Sequence, residues 1–166
     1  MFDSLMPLTQ LYQPELFLSV VLGAAIGLER EIRGKDPSLR TFAFISLGSC
    51  LFSLLSQAVA AGVAHGDPGR IAAQIVTGIG FLGVGTIFRS PRGISGLTTS
   101  ALMWVTAAIG MAVGFGYSQL ALIATLYALL ASLVLNIGHE IFRYFKIGGY
   151  GPDVMRAESQ GQSPPE

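Results

Sequence analysis

Long uncharged apolar runs alternate along the chain with short charged segments, a pattern that predicts membrane-spanning helices. Residues 41–64 contain no charged side chain, and residues 71–88 form a second such run, fenced by Arg70 and Arg89. Residues 93–138 then continue for 46 positions without a charge. At about 1.5 Å per residue this is near 70 Å of helix, more than twice a hydrocarbon core of about 30 Å. The last stretch therefore predicts two spans.

Turn residues divide this last stretch. The sequence GFGYS at 114–118 supplies two glycines and an interfacial tyrosine, which predicts a fourth span over 97–113 and a fifth over 119–137. The first apolar run, residues 16–28, has only 13 residues, fewer than the roughly 17 to 25 that a span needs. We therefore expect Glu29, Arg30 and Glu31 to be partly buried and paired at its end.

These runs predict an all-α membrane bundle of about five transmembrane helices. We expect a five-span membrane domain over 14–147, with Pro14 in the first helical turn. Residues 1–13 are expected to form an interfacial segment. Residues 148–166 are rich in Gly, Pro, Ser and Gln and are expected to form a disordered cytoplasmic tail.

Composition agrees with a membrane protein. The chain is 51% hydrophobic and 12% charged, with a mean hydropathy of +0.59, whereas soluble domains have about 25% charged residues. Ten basic residues balance ten acidic ones, so no net charge points to nucleic acid. If five spans alternate, nine basic residues fall on one side and only Arg70 on the other. The positive-inside rule then predicts an external N terminus and a cytoplasmic C terminus.

Small residues recur at helix-packing spacing. GxxxG pairs permit close helix approach, whereas four glycines within eight positions would weaken an isolated helix. We interpret the third-span glycines as packing contacts, although they could instead let the backbone open, and expect that span at the packed centre of the bundle. Four serines at 46, 49, 53 and 56 share one helix face and favour packing over a wet path. The helix-packing glycines are Gly23, Gly27, Gly78, Gly80, Gly83, Gly85, Gly110 and Gly114.

The sequence contains no convincing group of catalytic residues, so we predict that this protein is not an enzyme and binds no cofactor. Gly78, Gly80 and Gly83 spell GxGxxG, but they lie inside a membrane run rather than between a strand and a helix, which argues against a dinucleotide site. Cys50 is expected to be a buried packing residue. His65 is expected to be an exposed loop residue, because a metal site needs several ligands.

Polar residues at the span ends form the candidate functional cluster. The Glu29 and Arg30 group is either an ion network at the cytoplasmic interface or a functional site. The second alternative is kept because ionisable residues inside a membrane often have a function. A polar face leads into the third span at i, i+4 and i+7. The candidate residues are Glu29, Arg30, Arg40, Thr41, Asp67, Arg70, Gln74, Thr77, Thr98 and Thr99.

Four segments follow one another in the order GAAIGLEREIRGK, SLRTFAFISLGS, DPGRIAAQIVTGIGFLGVGTIF and GISGLTTSALMWVTAAIGMAVG. In this order and spacing they resemble the MgtC/SapB family of bacterial inner-membrane proteins, and the resemblance covers about residues 15–135. It implies a multi-pass protein linked to growth at low magnesium and, in some members, to virulence. Longer members continue into a cytoplasmic domain resembling the ACT fold, so this chain is expected to be a short form. Val84 stands where alanine is usual, a small departure.

Two functions follow from the bundle and the resemblance. The first is a non-enzymatic protein that modulates other membrane machinery through helix–helix contacts, with itself or with a partner membrane protein. The second is a small transporter or channel for magnesium, another cation or protons. That pathway would use the face of Arg70, Gln74 and Thr77, the serine stripe and Glu29.

Overall fold

A computed structural model describes residues 6–91 and 93–144, with side chains described for 12–91 and 93–138. Within those ranges the chain forms five helices and one short hairpin, which confirms the predicted all-α membrane bundle. The elements are α1 (Met6–Ile32), α2 (Leu39–Ala61), α3 (Gly69–Val84), β1 (Phe88–Ser90), β2 (Gly93–Ser95), α4 (Leu97–Gly114) and α5 (Ser118–Tyr144).

Three of the described helices are long and apolar enough to cross a membrane: Leu39–Ala61, Leu97–Gly114 and Ser118–Gly138. They correspond to the predicted second, fourth and fifth spans. The break at 114–118 is also confirmed, since α4 ends at Gly114 and α5 begins at Ser118. The orientation of the bundle in the membrane stays a prediction.

The third predicted span is shorter than expected. Helix α3 has 16 residues and ends at Val84 rather than Phe88, so it is about 24 Å long at 1.5 Å per residue, less than a hydrocarbon core of about 30 Å. Phe88–Ser90 then pairs antiparallel with Gly93–Ser95 in a short hairpin. Gly96 has a φ of 89°, a left-handed conformation that suits glycine, and it turns the chain from the hairpin into α4.

Helix α1 also differs from its prediction. It runs without interruption from Met6 to Ile32 and contains Pro14 in its interior, so the placement of Pro14 in the first turn is wrong. Membrane helices tolerate an interior proline because neighbouring groups can satisfy the freed backbone carbonyl. The expected disordered tail at 148–166 lies outside the described residues.

The packed centre of the bundle is α2, not the glycine-rich α3. Helix α2 packs against both α1 and α4, and its buried side chains include Phe42 and Cys50, both 0% exposed. From the neighbouring helices, Ile26 and Val113 complete this core. The buried position of Cys50 agrees with the prediction, whereas the placement of the third span at the centre is wrong.

Candidate functional site

Two glycines let α1 approach α2 closely. A Cβ added at Gly23 would lie 2.5 Å from the backbone oxygen of Phe42, and one at Gly27 would lie 2.5 Å from the Cα of Leu39. Real side chains do not tolerate such contacts with backbone atoms, so these positions require glycine. The first GxxxG pair therefore lies in a helix–helix contact.

The second GxxxG pair, Gly110 and Gly114 of α4, has the same role against α2. A Cβ at Gly110 would overlap the carbonyl oxygen of Ser46, and one at Gly114 would lie 2.6 Å from the carbonyl oxygen of Cys50. The side-chain amide of Gln57 also donates a 2.6 Å hydrogen bond to the carbonyl oxygen of Gly114. Helices α1, α2 and α4 thus form a closely packed trio.

The serine stripe of α2 is buried within the bundle. All four serines are buried, which agrees with the packing interpretation. The Ser53 hydroxyl donates to the Ser49 carbonyl at 2.8 Å, and the Ser56 hydroxyl donates to the Pro68 carbonyl. The Ser46 hydroxyl oxygen is buried and has no hydrogen-bond partner within the described part of the chain.

The glycines of α3 lie in different surroundings. A Cβ at Gly78 or Gly80 would meet no atom within 4 Å, and one at Gly85 would meet only carbonyls of its own helix at 3.3 and 3.9 Å. At Gly83 the nearest atom is the Ser100 hydroxyl, 2.5 Å away, and a hydroxyl can rotate. Among the described residues, Gly78 and Gly80 therefore make no packing contact, in contrast to the interpretation from the sequence.

An apolar groove of about 640 Å³ runs between α2 and α3. Gly78 lies on its α3 side, and Gly48, which also has open space where a Cβ would be, lies on its α2 side. Thr41 and Gln74 are among its few polar residues. The lining residues are Thr41, Phe44, Ile45, Gly48, Ser49, Phe52, Ile71, Gln74, Ile75, Gly78, Ile79 and Leu82.

Arg30 is a buried cation near the C-terminal end of α1. Its side chain is 6% exposed, and its Nη2 donates a 2.6 Å hydrogen bond to the hydroxyl of Thr99 in the first turn of α4. Its Nε is buried with no hydrogen-bond partner among the described residues. The sequence prediction of burial is confirmed, but the hydrogen bond that anchors this guanidinium goes to a neutral hydroxyl.

The neighbouring carboxylates have other partners. Glu29 forms a salt bridge with Arg33 and accepts a 2.8 Å hydrogen bond from the Ser132 hydroxyl of α5. Glu31 accepts a 3.3 Å hydrogen bond from the backbone N–H of Leu39, at the start of α2. These contacts join the end of α1 to the starts of α2 and α4 and to the middle of α5, so the cluster links four helices.

The remaining candidate residues do not join this cluster. Asp67 lies in the loop before α3, where its carboxylate accepts a 2.8 Å hydrogen bond from the backbone N–H of Gly69. His65 is exposed in the same loop, as predicted. The other residues of the predicted set that are exposed are Arg40, Arg70, Gln74, Thr77 and Thr98.

One buried polar group was not predicted from the sequence. Glu15 directly precedes the first apolar run, and its Oε2 is buried and has no partner within the described residues. Its carboxylate lies near the thiol of Cys50, which also contacts the Ser19 hydroxyl. The separation of these residues along the chain hid the cluster, and only the packing of α1 on α2 brings them together.

Comparison with known proteins identifies the family. The chain matches the MgtC family over residues 16–141. It is 44% identical over 131 residues to YhiD of Escherichia coli K12, whose name describes a candidate magnesium transporter, covering 76% of this chain and 60% of YhiD. It is 43% identical over 140 residues to Protein MgtC of Salmonella typhimurium LT2, covering 84% of this chain and 59% of that protein.

The chain spans about three fifths of the length of these relatives. No solved structure matches it. The family match covers most of the chain, and the described helices include three that could cross a membrane. This protein therefore belongs to the MgtC family and is a membrane protein of that type.

Proposed function

We propose that this chain is a non-enzymatic, multi-pass protein of the bacterial inner membrane that modulates another membrane protein by binding one of its helices. The observation that carries the proposal is the groove between α2 and α3. Its lining is predominantly apolar, and glycines on both sides leave space at the helix backbones. In lipid, small residues of this kind favour helix association because they allow backbones to approach.

The distribution of open and occupied glycines supports this role. In the α1–α2–α4 trio, the GxxxG glycines are already occupied by a neighbouring helix, whereas Gly78 in the groove has no neighbour among the described residues. Because glycine costs roughly 1 kcal/mol relative to alanine in a helix interior, unoccupied glycines carry a cost that contact with a partner helix would offset.

Adding a large side chain to α3 inside the groove tests the proposal. We expect Gly78→Leu to fill the groove and abolish association with the partner, measured as the mass of the complex extracted in native lipid discs. Gly80→Leu is the matched control, because Gly80 lies on the same helix with open space but does not line the groove. A wild-type chain that is strictly monomeric and without a partner would rule out this function.

A transporter or channel for protons or a cation such as magnesium is the second candidate. The observation in its favour is Glu15, whose Oε2 is buried beside the Ser19 and Cys50 side chains with no partner among the described residues. Ionisable groups inside a membrane bundle are expensive and commonly mark ion or proton pathways. The name of YhiD also points to magnesium transport.

Reconstituted vesicles test the second candidate separately. If Glu15 carries protons or cations, vesicles containing the wild-type chain show flux driven by a membrane potential, and Glu15→Gln abolishes it. Glu31→Gln is the control, since Glu31 is exposed at the other end of α1. An absence of proton and magnesium flux in the wild-type vesicles would reject transport.

A further inference from the structure

Two polar side chains line the apolar groove between α2 and α3 without a hydrogen bond. Ser49 is 4% exposed and Gln74 is exposed, and both belong to the groove lining. Among the described residues, no hydrogen bond is found for the Ser49 hydroxyl or for the side-chain amide of Gln74. The Ser53 hydroxyl, one turn along α2, does donate to the Ser49 carbonyl. The groove therefore presents hydrogen-bonding groups that the described chain does not use.

These two side chains lie at the same level of the bundle. The hydrogen bond from Ser56 to the Pro68 carbonyl joins the end of α2 to the residue before α3. Ser49 precedes Ser56 by two helical turns, and Gln74 follows Pro68 by nearly the same length of helix, about 10 Å in each case. Ser49 is also near the middle of α2, which is long enough to cross a membrane. Both polar groups are therefore expected near the middle of the hydrocarbon core.

The position of these groups restricts what can fill the groove. A lipid acyl chain has no donor or acceptor, so lipid would leave both groups unpaired where water is scarce, and unpaired polar groups in hydrocarbon are costly. The backbone of a partner helix is already hydrogen-bonded within that helix. A side chain of the partner is then the group that can complete the contacts. A carboxamide fits best, because it both donates and accepts, as the amide of Gln74 does.

We propose that the groove selects a partner helix that carries an asparagine or glutamine at the level of Gln74. The partner carboxamide exchanges two hydrogen bonds with the Gln74 amide and accepts a third from the Ser49 hydroxyl. Apolar contacts and the open glycines allow helices to approach, whereas the two polar side chains distinguish one helix from another. This inference rests on the function proposed above, because it names the chemistry of the helix that the same groove binds.

Synthetic transmembrane peptides test this selectivity directly. One peptide has a leucine–alanine sequence of about 20 residues, enough to span the core, with asparagine at its centre, and the second has leucine there. Energy transfer between labelled peptide and labelled full chain measures association in phosphatidylcholine vesicles, at peptide densities that keep the peptides monomeric. We expect the asparagine peptide to bind about three- to tenfold more tightly, the gain from an interhelical hydrogen bond in lipid.

Substitutions in the groove locate the source of this preference. Gln74→Leu should remove it and leave binding of the leucine peptide intact, because an exposed side chain loses only its hydrogen-bonding group. Ser49→Ala should reduce the preference in part. Thr77→Leu is the matched control and should retain it, since Thr77 is exposed on the same helix but does not line the groove. Gly78→Leu should weaken binding of both peptides, because it fills the groove.

Failure of this inference and failure of the proposed function give different results. Equal binding of the two peptides to the wild-type chain, or an asparagine preference that survives in Gln74→Leu, would overturn the selectivity and leave the groove as a helix-binding site. Binding of neither peptide would overturn both. Ser49→Ala tests the same preference from the other helix. If Gln74→Leu does not fold, an unchanged preference in Ser49→Ala would overturn the proposal.

Discussion

The GxxxG glycines of the α1–α2–α4 trio and the glycines of α3 look alike in the sequence but have opposite surroundings. In the trio, a Cβ at Gly27 or Gly110 would meet backbone atoms of α2. On α3, a Cβ at Gly78 or Gly80 would meet nothing within 4 Å. Glycine in a membrane helix therefore identifies a surface suited to close contact, but the partner can lie inside or outside the chain.

The two regions also differ in how much of their surface is buried within the bundle. The trio contains most of the buried residues, including the serine stripe and Cys50. Helix α3 buries only Ala72, Ile79 and Gly83. The first region holds the fold together, and the second presents an incompletely covered apolar surface, on which we base the proposed binding of a partner helix.

The largest expected change in stability comes from a substitution in the closely packed trio. Gly110→Ala places a methyl group against the backbone carbonyl of Ser46, and a backbone atom cannot rotate away. Overpacking of this kind should lower the free energy of unfolding by about 3 kcal/mol, measured by thermal or denaturant unfolding in detergent. Gly80→Ala is the control and should remain as stable as the wild-type chain or become slightly more stable. Equal losses of unfolding free energy in the two variants would contradict the difference in packing between the trio and α3.

An intermediate effect is expected at the polar end of the trio. Thr99→Val removes the hydroxyl that accepts the 2.6 Å hydrogen bond from Arg30 while retaining the shape of the side chain. Loss of a hydrogen bond to a charged group should lower the free energy of unfolding by roughly 2 kcal/mol. Thr98→Val, at the exposed neighbouring position, should change it by less than about 0.5 kcal/mol. A Thr99→Val variant with unchanged stability would show that the guanidinium does not depend on this contact.

The smallest expected effect is an increase in stability rather than a loss. Gly78→Ala adds a methyl group where no atom lies within 4 Å, and alanine favours the helix more than glycine does. The isolated chain should gain about 0.5 to 1 kcal/mol in its free energy of unfolding, again measured in detergent. Ala72→Gly, at a buried position on the same helix, should lower stability. A loss of stability in Gly78→Ala would indicate that α3 is packed at this point.

The class of fold and most helix positions could be predicted because hydrophobicity and charge act locally along the chain. The 114–118 break was recognisable from its glycines and tyrosine. The end of α3 was not, since residues 85–88 are as apolar as a span and only the hairpin, with Gly96 in a left-handed conformation, takes them out of the helix. The choice of α2 as the central helix depends on which glycines face it, which spacing does not specify.

The candidate site was predictable only in part. Burial of Arg30 followed from the shortness of the first apolar run. Its contact with Thr99, 69 positions away, depends on the packing of α1 against α4 and has no local signal. The same is true of Glu15 and Cys50, because a carboxylate near the start of an apolar run normally lies at an interface.

The central claim is that the groove between α2 and α3 receives a helix of another membrane protein. A photo-crosslinking amino acid at position 52 would test it most directly in cells, because Phe52 lines the groove and is 52% exposed. Position 17 is the control, because Phe17 is 71% exposed and does not line the groove. The account predicts a discrete protein adduct from position 52 that Gly78→Leu abolishes, and none from position 17. Failure of position 52 to yield an adduct, or the same adduct from both positions, would contradict it.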